Sequence, residues 1–276
     1  MSSHTLYKAF KASTPAFGTW ITLPGGLTAR YIAGSSPHLS WVMIDCEHGA
    51  TSLSPGASEA IHAIAGLGAD APSALVRIPA TGACSSTSWQ IKYALDAGAR
   101  GVLVPMVSSA EKAREIVSDC RLPPAGRRGY GNPFTQMAWG VSRSEYFDSA
   151  NEHILVIVQI ETKDGVENVE EIAAVEGLDA LFIGPYDLSL SLGYPPPSPD
   201  PHPEVETVIQ HILEVAHSKG KKCAIYCSSG TQAAQRAKQG FDMINASSDQ
   251  GALAKGIARD LEDATGIQSS GSAFGY

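Results

Sequence analysis

Short apolar runs alternate with longer amphipathic stretches along almost the whole chain. The clearest run is Ile154-Leu155-Val156-Ile157-Val158, an unbroken apolar segment rich in β-branched residues. Such a run is too short for a helix and reads as a strand buried on both faces. Strands of the same kind are predicted at residues 17–22, 41–44, 74–78, 101–104, 181–183, 223–226 and 241–244. Helical spacing fills the intervals. Val166, Val169, Ile172 and Ala173 share one helix face within 164–174, and Val205, Val208, Ile209, Ile212 and Ala216 share one within 204–219. Trp89, Ile91, Ala94 and Leu95 make another stripe, and further helices are predicted to end near Gly34 and Leu67 and to cover 109–120, 230–239 and 250–264. The helix 109–120 opens with Ser108 or Ser109 in a capping-box pattern.

Eight strands alternating with eight helices predict a (β/α)8 TIM barrel. The whole chain, residues 1–276, reads as one domain with a loose tail from about residue 267. Two stretches interrupt the rhythm: 122–150, expected to be irregular, and the proline-rich 195–203, expected to be a surface loop.

The barrel expectation gives the polar residues at strand ends a meaning, because the C-terminal ends of barrel strands converge on one pocket. Glu161 and Asp187 each follow a buried strand of the same crossover unit. Two carboxylates aimed at one spot can hold Mg²⁺, or Mn²⁺ or Co²⁺, and leave positions for water and substrate. The alternative is that each merely caps the helix after it. Asp45, Glu47 and His48 end the second strand, Arg77 the third, and Gln159 lies on the fifth. His48 beside Asp45 suggests a base oriented by a carboxylate, against the simpler reading of a solvated loop histidine. Arg77 offers a cationic fork of the kind that neutralises a 2-oxo acid and its enolate.

Composition narrows the partners. A formal charge of −8 and the absence of any Lys/Arg cluster argue against nucleic acid or an anionic membrane surface. No apolar run approaches a membrane span, and the first ten residues lack a signal-peptide core, so a cytoplasmic protein is expected. The five cysteines lack zinc-type spacing; Cys223 and Cys227 read as core thiols. There is no GxGxxG or Walker loop, and no lysine on a strand end to form an imine, which favours metal chemistry.

Several segments, in order, carry a resemblance. They are Asp45-x-Glu47-His48-Gly49, Leu75-Val76-Arg77, Ile91-Lys92-x-Ala94-Leu95-Asp96-Ala97-Gly98-Ala99 and Val104-Pro105-Met106-Val107. Pro123-Pro124-x-Gly126-x-Arg128-Gly129, Gln159-Ile160-Glu161-Thr162 and Phe182-Ile183-Gly184-Pro185-x-Asp187-Leu188-Ser189 complete the set. Together they resemble the class II pyruvate aldolases of the 4-hydroxy-2-oxoheptanedioate aldolase group, within the citrate-lyase-like barrel superfamily. The resemblance implies a metal-dependent lyase that cleaves a 4-hydroxy-2-oxo acid to pyruvate and an aldehyde. It implies Glu161 and Asp187 as metal ligands, Arg77 at the enolate oxygen and Gln159 near the keto acid. His48 would be the base, with Asp45 and Asp96 orienting it, and the backbone from Gly184 through Pro185 to Tyr186 would receive the carboxylate. It also implies a homo-oligomer, a hexamer or trimer, in which a neighbouring subunit helps close the pocket.

The chain departs from the pattern after His48-Gly49, where Ala50-Thr51 replace the usual proline, and between Arg77 and Ile91, a stretch that is longer and lacks the usual acidic residue. Both border the aldehyde side. The loop 81–88 and the aromatic residues Tyr130, Phe134, Trp139 and Tyr146 are expected there too, forming a neutral rim. The branch that includes macrophomate synthase makes the same enolate by decarboxylating oxaloacetate, and that is the alternative activity. A non-catalytic keto-acid-binding barrel is a third reading, though such a protein should have lost one of these side chains.

Overall fold

The computed structural model describes residues 4–79 and 86–267. Eight parallel strands close into a barrel in chain order. They are β1 (Ala16–Ile21), β2 (Trp41–Asp45), β3 (Ser73–Arg77), β4 (Gly101–Val104), β5 (Leu155–Ile160), β6 (Ala180–Ile183), β7 (Lys222–Ile225) and β8 (Met243–Ser248). Most of the strand residues are apolar because both faces of the sheet are buried. Outward side chains such as Val42, Ile44, Val76, Val156, Leu181 and Ile225 pack beneath the helices. Inward ones, including Trp20, Met43, Leu75, Leu103, Ile157 and Phe182, fill the barrel.

The period-two alternation of a strand carries each inward row upward. Met43 is followed by Asp45, Leu75 by Arg77, Ile157 by Gln159 and then Glu161, and Phe182 by Gly184. Each row is apolar at mid-barrel and changes character at its C-terminal end. The alternation thereby builds the site. Gly18 keeps the interior packable: a Cβ there would come within 2.1 Å of the Trp41 ring, whose Nε1 donates to the Ala16 carbonyl at 3.0 Å.

Helices diverge from expectation in four places. Helix Thr5–Ala12, in a stretch that read as merely polar, sets Leu6 and Phe10 against the inward cluster. Two apolar residues four apart were too few to signal it. His4 anchors it through Ser73 Oγ (2.8 Å) and the His153 carbonyl (3.0 Å), and burial lowers its pKa to about 3. The stretch 122–150 is not irregular throughout, since it contains helices Thr135–Trp139 and Arg143–His153. The latter opens on a full capping box, Ser142 with Glu145, a pattern present in the sequence. The crossover after β5 is two short helices that meet at Asn168, whose Nδ2 donates to the Ser108 carbonyl at 2.9 Å. The final helix, Asp249–Thr265, buries only Asp249. Its Leu253, Ile257 and Leu261 are more than half exposed, so it does not lie down on the barrel as its predecessors do.

The stripe expected around Trp89 holds for Ile91, Ala94 and Leu95, but Trp89 itself is exposed. Ser109 caps helix Ala110–Cys120 by accepting from Lys112 N, without a reciprocal acid. No helix among the described residues is long and apolar enough to cross a membrane. The expected tail and most of the loop 81–88 lie outside the described residues.

Candidate active site

Asp45 and Arg77 are register partners on β2 and β3, both pointing inward. Arg77 Nε donates to Asp45 Oδ1 at 2.9 Å and Nη2 to Oδ2 at 2.7 Å. Nη1 lies 3.1 Å from Glu47 Oε2, and the guanidinium carbon sits 4.5 Å from the Trp20 ring centroid. Burial alone would disfavour the charge, but Asp45 and Glu47 reverse that effect and raise the Arg77 pKa above its ordinary value. Two of the five guanidinium N–H groups are hydrogen-bonded to Asp45, and Nη1 adds an ion pair with Glu47, so donors remain for a ligand.

This geometry gives Asp45 contacts other than the imidazole bond expected of it. Its carboxylate serves Arg77, and Oδ1 also accepts the backbone N–H groups of Glu47 (3.1 Å) and His48 (3.3 Å). It therefore shapes the turn that carries His48 and does not contact the imidazole among the bonds observed. The neighbour of His48 is Glu47, with Nε2 to Oε2 at 3.6 Å, and the His48 side chain is 64% exposed. Asp96 is likewise not brought to His48 within the chain. It binds Lys92 Nζ (2.6 Å) and Arg128 Nη2 (3.0 Å) and lines a separate crevice.

Across the barrel mouth, Glu161 is 2% exposed. Its Oε1 accepts from Met106 N at 2.8 Å and its Oε2 from Gln159 Nε2. Met106 has φ 57°, a left-handed conformation that costs a residue with a Cβ roughly 1–2 kcal/mol. It is held at the point where its amide orients Glu161. Burial, followed by the Asp187 charge, pushes the Glu161 pKa up to about 7 against the donors and Arg77. Glu47 also rises to about 7, through burial and then the charges of Glu161, Asp45 and Asp187, with Arg77 opposing. Four carboxylates thus face one another around one guanidinium.

That surplus of negative charge fits a cation, and an all-oxygen donor set fits a hard divalent one. Gln159 Oε1 adds a buried oxygen with no hydrogen-bond partner. Among the described residues no group of three or more His, Cys, Asp or Glu side chains could hold one ion. A cation held by Glu161 and Asp187 would therefore complete its shell from water and substrate. The capping alternative fails for Glu161, because Thr162 caps the next helix by accepting from Gly165 N at 3.0 Å. Asp187 occupies the first turn of helix Pro185–Ser191, whose N-cap Gly184 contributes no side chain. A Cβ on Gly184 would meet Gln159 Nε2 and Glu161 Oε2 at 2.6 Å, so glycine lets the backbone approach that pair. Pro185 has no N–H and can offer a carboxylate no bond, which corrects its expected role.

A cavity of about 130 Å³ has a lining that includes Asp45, His48, Arg77, Gln159 and Asp187, and Glu161, bonded to the lining residue Gln159, stands behind that wall. Its remaining wall is uncharged: Trp20, Phe182, Tyr186, Tyr226, Ser248 and Gln250 are among the contributors. Trp20 and Tyr226 were missed in the sequence, although each continues an inward row, from Ala16 and Ala224. The aromatic residues expected at the rim do not line this cavity. Trp139 lies beneath Arg100, which precedes β4, and donates to the Gly98 carbonyl; Tyr146 bonds Arg128; Tyr130 and Phe134 are exposed. The described cysteines, Cys46, Cys120, Cys223 and Cys227, are buried free thiols.

Comparison with known proteins adds a second line. The model of the HpcH/HpaI aldolase/citrate lyase family matches residues 28–255. A hydroxypyruvate/pyruvate aldolase of Chromohalobacter salexigens is 35% identical over 239 residues, 86% of this chain and 89% of that protein. A 4-hydroxy-2-oxo-heptane-1,7-dioate aldolase of Shigella flexneri is 36% identical over 218 residues, 77% of this chain and 76% of that protein. The crystal structure of macrophomate synthase superposes with a TM-score of 0.82 at 26% identity, covering 95% of this chain and 88% of that one. With its barrel, its strand-end residues and a match over most of its length, the chain belongs to the HpcH/HpaI aldolase/citrate lyase family.

Proposed function

We propose that the protein is a divalent-cation-dependent carbon–carbon lyase that cleaves a 4-hydroxy-2-oxo acid to an aldehyde and pyruvate. One observation carries the reading: the oriented Arg77 fork and the Glu161–Asp187 carboxylates share one barrel mouth with His48. Glu161 and Asp187 would hold the cation, Mg²⁺ foremost and Mn²⁺ or Co²⁺ as alternatives. When bound, the cation supplies a Lewis acid that polarises the 2-oxo group. His48 takes the proton of the 4-hydroxyl. The C3–C4 bond breaks, the hydroxyl-bearing carbon leaves as aldehyde, and the bonding pair passes into a pyruvate enolate. The Arg77 N–H groups not bonded to Asp45 meet the charge that grows on the enolate oxygen, and that oxygen is where preorganised donors contribute most. A proton from solvent adds at C3 to give pyruvate, and His48 returns the proton it took to solvent. Gln159 and the backbone at Gly184 and Tyr186 would position the oxo acid.

The names of the relatives support pyruvate and hydroxypyruvate alike as the enolate half. The likeness to macrophomate synthase favours a second reading, in which oxaloacetate decarboxylation generates the enolate. We read the architecture as a one-domain (β/α)8 barrel whose final helix is displaced. The exposed row Leu253, Ile257 and Leu261 on that helix supports a homo-oligomer, in which a second copy would cover it. The unpaired thiols suit a reducing cytoplasm. Product analysis decides between the activities: pyruvate and aldehyde from 2-keto-3-deoxy acids support the lyase, and turnover of oxaloacetate alone supports the decarboxylase.

A further inference from the structure

We propose that Glu47 is a positioning residue that ties the two chemical halves of the site together, holding Arg77 through one contact and His48 through another. The inference rests on the proposed lyase reaction and assigns a role to a side chain which that reaction does not itself require.

The geometry supports it in three ways. Glu47 Oε2 lies 3.1 Å from Arg77 Nη1 and 3.6 Å from His48 Nε2, so a single oxygen faces both groups. Its side chain is 8% exposed, against 64% for His48, so a buried anchor stands beside a solvated ring. The turn is also fixed from below. Asp45 Oδ1 accepts both the Glu47 and His48 amides, and a Cβ on Gly49 would come within 2.2 Å of the Asp45 carbonyl. The consecutive residues Glu47 and His48 therefore cannot swing apart freely. The other carboxylates that could orient the imidazole are committed elsewhere, Asp45 to Arg77 and Asp96 to Lys92 and Arg128.

The test combines Glu47→Gln, Arg77→Lys and the double variant with a measurement that does not depend on activity. Glu47→Gln keeps shape and an acceptor but loses the charge. It should lower kcat for aldol cleavage about 10–100-fold, the range seen when groups that orient a site's ligands are removed. KM should change less than kcat. Because the two residues act as a unit, the double variant should be about as slow as the slower single one. In the folded protein, NMR relaxation of the His48 ring should report greater mobility in Glu47→Gln than in wild type. Multiplicative kinetic losses together with unchanged ring mobility would overturn the proposal. If wild type cleaves no 4-hydroxy-2-oxo acid, the lyase reading fails and the ring mobility alone decides the role of Glu47. Should Glu47→Gln not fold, Glu47→Asp serves instead: one methylene shorter, it cannot keep both contacts, and wild-type mobility and kcat in that variant would also overturn the proposal.

Discussion

Divalent-cation binding should weaken steeply as pH falls from 8 to 6. The cause is Glu161, whose pKa is raised to about 7 from an ordinary 4.5 by burial and by Asp187. A proton and a cation compete for the same oxygens, so binding requires the deprotonated form. With a pKa of about 7, the carboxylate is about 90% ionised at pH 8 and about 10% at pH 6, a roughly tenfold loss of affinity, or about 1.4 kcal/mol. Glu47, also at about 7, extends the loss toward a hundredfold when its proton must leave as well. A carboxylate at 4.5 would change affinity by only a few per cent over this range. Calorimetric titration with Mn²⁺ at pH 6, 7 and 8, in two buffers of different ionisation enthalpy, reads both the affinity and the protons released. The sign for stability follows from the same shift. The folded state holds these protons more tightly than the unfolded chain, so their contribution is fully present below about pH 4.5 and is lost as pH rises through about 7. Added cation at pH 8 should restore it. An affinity constant within twofold from pH 8 to 6, with no proton release, would refute the reasoning.

Arg77→Lys should cut kcat by about 10²–10³, or 2.7–4 kcal/mol, because lysine keeps the charge but loses the fork; steady-state kinetics with any cleaved substrate checks it. His48→Ala should abolish aldol cleavage yet leave oxaloacetate decarboxylation partly intact, since that step removes no alcohol proton; equal loss of both would make His48 a shaping residue. The uncharged wall of Tyr186, Tyr226, Ser248 and Gln250 should favour a neutral aldehyde half, as from 2-keto-3-deoxyrhamnonate, over a dicarboxylate. A tenfold higher kcat/KM for 4-hydroxy-2-oxoheptanedioate, about 1.4 kcal/mol, would contradict this.

The barrel strands were legible in the sequence because residues buried on both faces leave uninterrupted apolar runs, as in 154–158. Their polar ends were legible because Asp45, Arg77, Gln159 and Glu161 extend those runs at the period of a strand. Helix Thr5–Ala12 was not, since its burial rests on two side chains, Leu6 and Phe10. Helix Arg143–His153 buries only Tyr146 and Ala150, and it announced itself through its capping box alone. Partner choice within the site was the least legible. Sequence adjacency put Asp45 with His48, whereas register across β2 and β3 gave Asp45 to Arg77 and left Glu47 beside the imidazole. The aromatic residues of 130–146 were assigned to the wrong part of the molecule for a related reason, since their position depends on how the segment after helix Ala110–Cys120 packs over the barrel.

The central claim is that two carboxylates at the barrel mouth hold a divalent cation on which carbon–carbon cleavage depends. The most direct measurement is pyruvate release from a 2-keto-3-deoxy acid by chelator-treated protein, before and after Mg²⁺ is returned, in wild type, Glu161→Gln and Asp187→Asn. The account predicts no release without the cation, recovery in wild type, and neither recovery nor cation binding in either variant. Full release in excess chelator, or pyruvate trapped on a lysine by borohydride, would contradict it.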